Sequence, residues 1–411
     1  MRITVICPHF APDTAPTGQV ITEIVHELQN LDHHIHVVTS LPWYRDHSVA
    51  SGWRGRLFAT EKTSWGRITR IHPFISNKRT NLLARAIAFA LFSLVAAFAA
   101  SMGRRTELIL TMSPPLTLAP AGWIAATRHR TPLVLNIQDV HPDAAIETGT
   151  LSDERLIKLL KRLEIFSYRK ANAITVLSQD LKQRLSDRVE DESKILVIPN
   201  FVDTERIYPA ERDNSYRHEL GVTDETVVLY AGNVGFSQPL ELVLEAAQHF
   251  AQRDDIVFVI NGNGSRRPEF EAAAEAMPNV TFMDYQPHSR LNEVLATGDI
   301  HIIPLKPGLG SVSVPSKLYS ILAAGRPVLA SVDPGTEIDL VVTQSGAGRS
   351  VRAGDTEAFI SALEALVDDP NGRVAAGLNA RRFAEEWLSS GAVAETYNEL
   401  FFNLRDQRNS P

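Results

Sequence analysis

A loop rich in glycine and hydroxyl side chains runs into a predicted helix in the segment 308–330. Pro315 suits the first turn of a helix, and Lys317 would then lie in that turn. A cation is unfavourable at the positive end of a helix unless an anion compensates it, so Lys317 and the free N–H groups of the first turn predict a phosphate site. The alternative is a lysine that points into water from a connecting loop. The donors that we assign to this phosphate site are Ser313, Ser316 and Lys317.

Two more glycine-containing turns follow predicted strands in the same half of the chain. Gly232 and Asn233 follow one strand, and Gly262 and Gly264 follow the next, with Arg266 close enough in sequence to reach a phosphate. Each turn is weak evidence alone, because a glycine after a strand is common. Three such loops at the carboxyl ends of strands in one domain are more persuasive, because a nucleotide binds at that edge of a parallel sheet.

Two stretches of the first half could also carry chemistry. Thr17 and Gly18 would lie at the N-terminus of the first helix, which makes a second potential anion site. Asp139, with His141 and Asp143, follows a predicted strand, where a carboxylate or imidazole could act as a general base or hold a sugar hydroxyl. The alternative is that these carboxylates cap a helix and form a turn. We do not favour a metal site, because no other spacing in the chain resembles one.

The elements that must position these residues alternate between short apolar runs and helical patterns. Strands without polar alternation, separated by helices, predict parallel sheets that are covered on both faces. A proline-containing stretch at 198–209 resembles a linker. We therefore predict two doubly wound α/β domains in tandem, residues 1–200 and 201–390, with a cleft between them. The predicted strands are 3–7, 35–39, 108–112, 133–137, 173–177 and 195–198, then 227–231, 256–261, 280–283, 300–304 and 328–330.

Composition limits the classes of protein to which the chain can belong. Its 411 residues are 44% hydrophobic and carry a formal net charge of -7, which argues against a general nucleic-acid binder. The single cysteine, Cys7, excludes an internal disulfide and indicates a reducing compartment. We therefore expect a protein of the cytoplasm.

One uncharged segment, residues 86–102, has arginines on both sides, at 85, 104 and 105. It is alanine-rich and slightly short for a membrane span. Two interpretations stay open: a buried helix of the α/β domain, or a helix on the membrane surface with its basic flanks facing anionic lipid. In the second case residues 82–105 would contact the inner face of the plasma membrane.

Four motifs occur in the order expected of the retaining GT-B glycosyltransferases of family 4, which the chain resembles over essentially its whole length. They are Ile198-Pro-Asn-Phe-Val-Asp203, Tyr230-Ala-Gly-Asn233, Asn261-Gly-Asn-Gly264 and Ala323-Ala-Gly-Arg-Pro-Val328. The stretches Asp139-Val-His-Pro-Asp143 and Pro315-Ser-Lys317 are similar to the branch of colanic-acid and O-antigen sugar transferases, which build bacterial surface polysaccharides.

The resemblance implies a nucleotide-sugar, a UDP-sugar in our expectation, bound to the second domain, and a lipid-linked saccharide acceptor bound mainly to the first. It implies no metal and a last helix (391–411) that crosses back to the first domain. We expect the base contact near Phe282 to Tyr285, and we assign catalytic roles to Lys317 and Asp139. The chain departs from the family pattern where two glutamates, an arginine, a lysine and a histidine are usual. It has Val312, Ser320, Asn233, Gln238 and Gln138 there.

Two other hypotheses stay open, and the departures motivate the second of them. A nucleotide-sugar 2-epimerase can share the two-domain architecture and would need no acceptor. A degenerate transferase that acts as a scaffold for an active one would bind nucleotide weakly or not at all.

Overall fold

The computed structural model describes residues 1–45, 47–75, 82–139, 153–309 and 316–409, with the side chains at 82–85, 316 and 409 excepted. Within these residues the chain forms two compact units. Unit 1 comprises Met1–Asn200 together with Val393–Pro411, and unit 2 comprises Phe201–Ala392.

Unit 1 contains a sheet of eight strands among the described residues, in the order β3-β4-β2-β1-β5-β6-β7-β8. All neighbours are parallel except β3 and β4. Every residue of β5 and β6 is buried, as expected when helices cover both faces of a sheet. The strands are β1 (Arg2–Ile6), β2 (His34–Ser40), β3 (Phe58–Thr63), β4 (Gly66–Ile71), β5 (Leu108–Ser113), β6 (Leu133–Ile137), β7 (Ala173–Val176) and β8 (Ile195–Val197).

Helices connect these strands. Pro16 is the first residue of α1, where its missing N–H removes no hydrogen bond. Asp153 caps α4 by accepting a hydrogen bond from the Leu156 N–H at 2.9 Å. The helices are α1 (Pro16–Asn30), α2 (Leu82–Ser101), α3 (Leu118–His129), α4 (Glu154–Lys170) and α5 (Gln179–Ser186).

Unit 2 contains a parallel sheet of six strands among the described residues, in the order β11-β10-β9-β12-β13-β14. Its strands are β9 (Thr226–Ala231), β10 (Ile256–Asn261), β11 (Val280–Met283), β12 (Ile300–Pro304), β13 (Val328–Val332) and β14 (Gly348–Arg352). Its helices are α6 (Ser215–Glu219), α7 (Glu241–His249), α8 (Arg267–Ala273), α9 (Leu291–Thr297), α10 (Ser316–Ala323), α11 (Glu337–Ser345), α12 (Thr356–Val367) and α13 (Pro370–Phe383).

The last helix, α14 (Ser390–Asn409), belongs to unit 1 from Val393 onward. The buried Tyr397 Oη accepts a hydrogen bond from Asn136 Nδ2 at 2.8 Å and lies 3.3 Å from Thr175 Oγ1. These two partners lie on β6 and β7, so α14 packs against the unit 1 sheet toward its β8 edge.

The predicted architecture of two α/β units, each built on a largely parallel sheet, is confirmed. Three strands were missed: β3, β4 and β14. Alternate residues of β3 are exposed, and β14 contains no fully buried residue. Both lie at sheet edges, where one side of the strand is open and the continuous apolar signal of a central strand is absent.

Candidate functional site

Lys317, the second residue of α10, lies over the turn that follows β9. Its Nζ is 3.4 Å from Tyr230 Oη and 5.2 Å from the centre of the Tyr230 ring. A Cβ added to Gly232 would lie only 2.1 Å from the same Nζ. The absence of a side chain at Gly232 therefore makes room for the lysine. The sequence predicted that Lys317 and Gly232 belong to one site, and it did not reveal Tyr230.

The charge of Lys317 is not neutralised by any carboxylate among the residues that the structure describes. The residue as a whole is exposed, but its ammonium end is partly buried against Tyr230 and Gly232. Burial lowers the pKa of this amine below 10.5. A partly desolvated cation without a counter-ion favours an incoming anion, because the anion offsets the cost of burying the charge.

Tyr230 shapes the turn under the lysine. Its side chain is buried, and its Oη donates a hydrogen bond to the Asn233 carbonyl oxygen at 2.5 Å. Burial raises the pKa of the phenol, so it stays neutral. The phenol oxygen can therefore accept from Lys317 while donating to the turn.

The glycines after β9 and β10 allow the two turns to pack on each other. A Cβ on Gly262 would lie 1.8 Å from the Gly232 carbonyl oxygen, and one on Gly264 would lie 2.1 Å from that of Val234. The N–H groups of Gly232 and Val234 donate to the facing turn, each at 2.9 Å. Close backbone packing thus accounts for Gly262 and Gly264 without a ligand, and their contact with a phosphate stays a prediction.

Arg266 has a different environment from the one that we predicted. Its guanidinium donates to Glu241 at 2.7 Å and to Glu269 at 2.6 Å, and it stacks on Phe270 with 4.6 Å to the ring centre. These hydrogen bonds raise the pKa of the guanidinium. Because two carboxylates already hold the charge, the geometry does not favour a phosphate contact by Arg266.

The neighbouring Arg267, which we did not identify from the sequence, stabilises the turn after β10, the second of the two turns. Its Nη1 donates to the Gly262 carbonyl oxygen at 2.8 Å and pairs with Asp284. Tyr285 follows directly, is exposed, and contacts the Asn263 carbonyl oxygen at 3.3 Å through its Oη. Tyr285 is thus placed beside the second turn, at the same edge of the sheet.

The predicted residues of unit 1 lie at the carboxyl ends of its strands. Thr17 is half-buried in the first turn of α1, and Gly18 packs so closely that an added Cβ would lie 2.7 Å from His9 Cβ. Asp139 is exposed and is the second residue after β6. Ser313, His141 and Asp143 lie outside the described residues, and only the backbone of Ser316 is described.

Across the described ranges, no three His, Cys, Asp or Glu side chains come together closely enough to hold a metal ion. In the same ranges, no helix combines the length and the apolarity that crossing a bilayer would need.

Comparison with protein families gives two matches that together cover most of the chain. A model described as "Glycosyl transferase 4-like domain" matches residues 17–200, and one described as "Glycosyl transferases group 1" matches residues 225–369. Among curated proteins, the chain is 26% identical over 413 aligned residues to WcaI of Escherichia coli (strain K12), which is named as a colanic acid biosynthesis glycosyl transferase. The alignment covers 97% of this chain and 98% of WcaI.

Two solved structures illustrate the likeness in fold. The sucrose-phosphate synthase of Thermosynechococcus elongatus matches with a TM-score of 0.66 and 18% identity, covering 98% of this chain and 99% of that one. HepE of Anabaena, solved in complex with UDP, matches with a TM-score of 0.65 and 14% identity, covering 98% of this chain and 100% of that one.

Proposed function

Since the chain belongs to the group 1, family 4 glycosyltransferases with a GT-B fold, we propose that it transfers a hexose or N-acetylhexosamine from a UDP-sugar to a lipid-linked saccharide, with retention and without a metal ion. The similarity to WcaI supports a role in bacterial surface polysaccharide synthesis. The UDP bound by HepE, a structure of similar fold, supports UDP as the nucleotide.

The observation that carries this proposal is the placement of Lys317 over Gly232 at the start of α10. As the bond between the sugar and the diphosphate breaks, negative charge develops on the departing phosphate oxygen. A cation held next to a helix N-terminus stabilises that charge, and the partly buried ammonium of Lys317 would do so more strongly than a solvated one.

Calorimetric titration with UDP, GDP and dTDP, in buffer containing a chelator, tests the proposal. We expect saturable binding of UDP and weaker binding of the other two. Absence of binding by all three would contradict the proposal and favour the scaffold hypothesis. Conversion of UDP-N-acetylglucosamine alone into an epimer would instead favour the 2-epimerase hypothesis.

A second part of the proposal concerns the inner face of the cytoplasmic membrane, where a lipid-linked acceptor would lie. Five large apolar side chains are exposed along α2 and just beyond it, spaced three or four residues apart on one helix face: Ile87, Leu91, Leu94, Phe98 and Met102. Arg104 and Arg105 follow and are exposed. We propose that this stripe inserts among the acyl chains while the arginines contact anionic headgroups.

Flotation with vesicles of phosphatidylglycerol and phosphatidylcholine tests the membrane surface. We expect the double variant Leu94→Asp, Phe98→Asp to lose vesicle binding. The matched control is Val374→Asp, Leu378→Asp, because these two exposed apolar residues have the same spacing on α13 of unit 2. Equal binding by both double variants would contradict the proposed surface.

A further inference from the structure

His9 and Asp13 form a hydrogen-bonded pair in the loop between β1 and α1. His9 Nδ1 lies 2.7 Å from Asp13 Oδ2, and Asp13 is buried. Asp13 Oδ1 accepts the N–H groups of Thr14 at 3.0 Å and Tyr44 at 3.1 Å. Burial raises the pKa of this carboxyl, but hydrogen bonds from His9 and from the N–H groups of Tyr44 and Trp43 outweigh it and hold the pKa below its usual value.

The ionised carboxylate fixes the tautomer of the imidazole. An Asp13 oxygen can only accept, so the neutral His9 ring carries its proton on Nδ1 and leaves a lone pair on Nε2. The part of the chain that the structure describes supplies no hydrogen-bond partner for this Nε2, and 11% of the side chain is exposed. His9 therefore presents an unused hydrogen-bond acceptor in a fixed orientation.

Two aromatic side chains from the segment after β2 flank this acceptor. The Trp43 ring centre lies 5.3 Å and the Tyr44 ring centre 5.4 Å from that of His9. Flat apolar surface next to a small number of oriented polar groups is typical of a small-molecule site. A lone pair on an imidazole that is hydrogen-bonded to a carboxylate suits a neutral hydroxyl. It disfavours a phosphate, because the carboxylate and the phosphate would both be negative at close range.

The loop that carries His9 is held from the inside of unit 1. Arg70 on β4 is only 1% exposed, and its Nη2 donates to the Ala11 carbonyl oxygen at 2.5 Å. Its guanidinium also pairs with Glu61 on β3. The buried arginine thus orients the loop before any ligand arrives, which lowers the entropy that binding must overcome.

We propose that His9, Asp13, Trp43 and Tyr44 bind one sugar ring of the acceptor. His9 Nε2 accepts a hydrogen bond from a sugar hydroxyl, and the two aromatic rings cover an apolar face of the sugar. This inference rests on the proposed transferase function, because it assigns a hydroxyl of the acceptor to unit 1. His9 touches the sugar, and Asp13 is a positioning residue that acts through the tautomer of His9.

Fluorine NMR of the 5-fluorotryptophan-labelled full chain tests the site. The chain has five tryptophans, and the variant Trp43→Phe assigns the signal of Trp43. The probes are the methyl glycosides of glucose, galactose, mannose and fucose. We expect at least one glycoside to shift the Trp43 signal saturably and to leave the other signals unchanged. No saturable shift with any of the four would overturn the proposal.

The variant Asp13→Asn separates tautomer control from simple packing. The amide oxygen can still accept the N–H groups of Thr14 and Tyr44, which leaves the NH₂ group facing His9 Nδ1. The imidazole proton then moves to Nε2, so the acceptor becomes a donor. We expect the nitrogen-15 spectrum to show a protonated Nε2 and the saccharide affinity to fall at least tenfold. An unchanged affinity with a protonated Nε2 would contradict the assignment.

Two controls separate this proposal from the transferase function itself. His26→Ala removes an exposed histidine of α1 and should leave the Trp43 response intact, whereas His9→Ala should abolish it. UDP titrations of the same variants report on unit 2. If Asp13→Asn lowers UDP binding together with the saccharide response, the site is overturned, because the variant would then damage the whole protein and not only the saccharide site. A saccharide response in a parent chain that binds no UDP would support the site and contradict the transferase function.

Discussion

Lys317 shows what can and cannot be inferred about a single residue. A lysine in the first turn of a helix after a glycine-containing loop indicated a site for an anion, because that position is otherwise unfavourable for a cation. Tyr230 gave no such signal, because a tyrosine within an apolar strand is typical of the core, where it also lies. Tyr230 also contacts Lys317 and the turn after β9 through its Oη. That contact depends on the direction of the Oη, which the spacing of residues does not encode.

At the residue scale, we expect Lys317→Met to weaken UDP binding by about 10- to 100-fold, the effect of one charge-assisted hydrogen bond. Arg349→Met, on the edge strand β14, removes the same formal charge from the same unit and should leave binding unchanged. Calorimetry at constant salt measures both. An equal loss of UDP affinity in the two variants would show that the binding depends on the net charge of the protein and not on the position of Lys317.

The lowered pKa of Lys317 predicts the pH dependence of the same binding reaction. The protonated amine binds the diphosphate, so UDP affinity should fall as pH rises through a pKa that lies below 10.5. The guanidinium introduced by the variant Lys317→Arg keeps its charge throughout this range. Both proteins are titrated with UDP from neutral to alkaline pH. The ratio of their affinities at each pH does not depend on the ionisation of the nucleotide, which is the same in both titrations. A parallel decline in both would exclude Lys317 as the titrating group.

At the scale of elements, the central strands were predictable and the edges were not. Continuous apolar runs identified β1, β5 and β6 because helices bury both of their faces. The edge strand β3 has the polar sequence Phe-Ala-Thr-Glu-Lys-Thr, and its side chains alternate between exposed and partly buried because successive residues point to opposite faces of the sheet. The glycine turns after β9 and β10 were located from the sequence as places where backbone could approach a ligand, but the packing of one turn on the other was not predicted, because the spacing of residues does not encode it.

That close approach gives a prediction about the two turns as an element. Gly262→Ala places a methyl group against the Gly232 carbonyl oxygen, a backbone atom that cannot move alone. We expect a loss of about 3 kcal/mol in the free energy of unfolding. Gly391→Ala is the matched control, because nothing lies within 4 Å of its added Cβ. Urea unfolding followed by circular dichroism measures both, and an unperturbed Gly262→Ala would contradict the packing that we describe.

At the scale of the whole molecule, the contacts that return α14 to unit 1 include a small buried polar cluster. Tyr397→Phe removes the hydroxyl that accepts from Asn136 and leaves one buried amide N–H without a partner. We expect the free energy of unfolding of unit 1 to fall by about 1–2 kcal/mol. Hydrogen exchange should then accelerate in β6 and β7. Tyr208→Phe, an exposed tyrosine, should have no effect, and equal exchange in the two variants would contradict a structural role for the Tyr397 hydroxyl.

The discontinuity of unit 1 also orders events during synthesis. The ribosome delivers Met1–Asn200 first, then all of unit 2, and only afterwards the residues from Val393 that complete unit 1. Unit 2 is continuous in sequence, and domains generally fold as units as the chain emerges. Residues 1–200 must therefore wait, with Asn136 and Thr175 still lacking Tyr397, until the residues from Val393 have been made. Unit 1, whose synthesis begins before that of unit 2, is therefore completed only after unit 2 has been made.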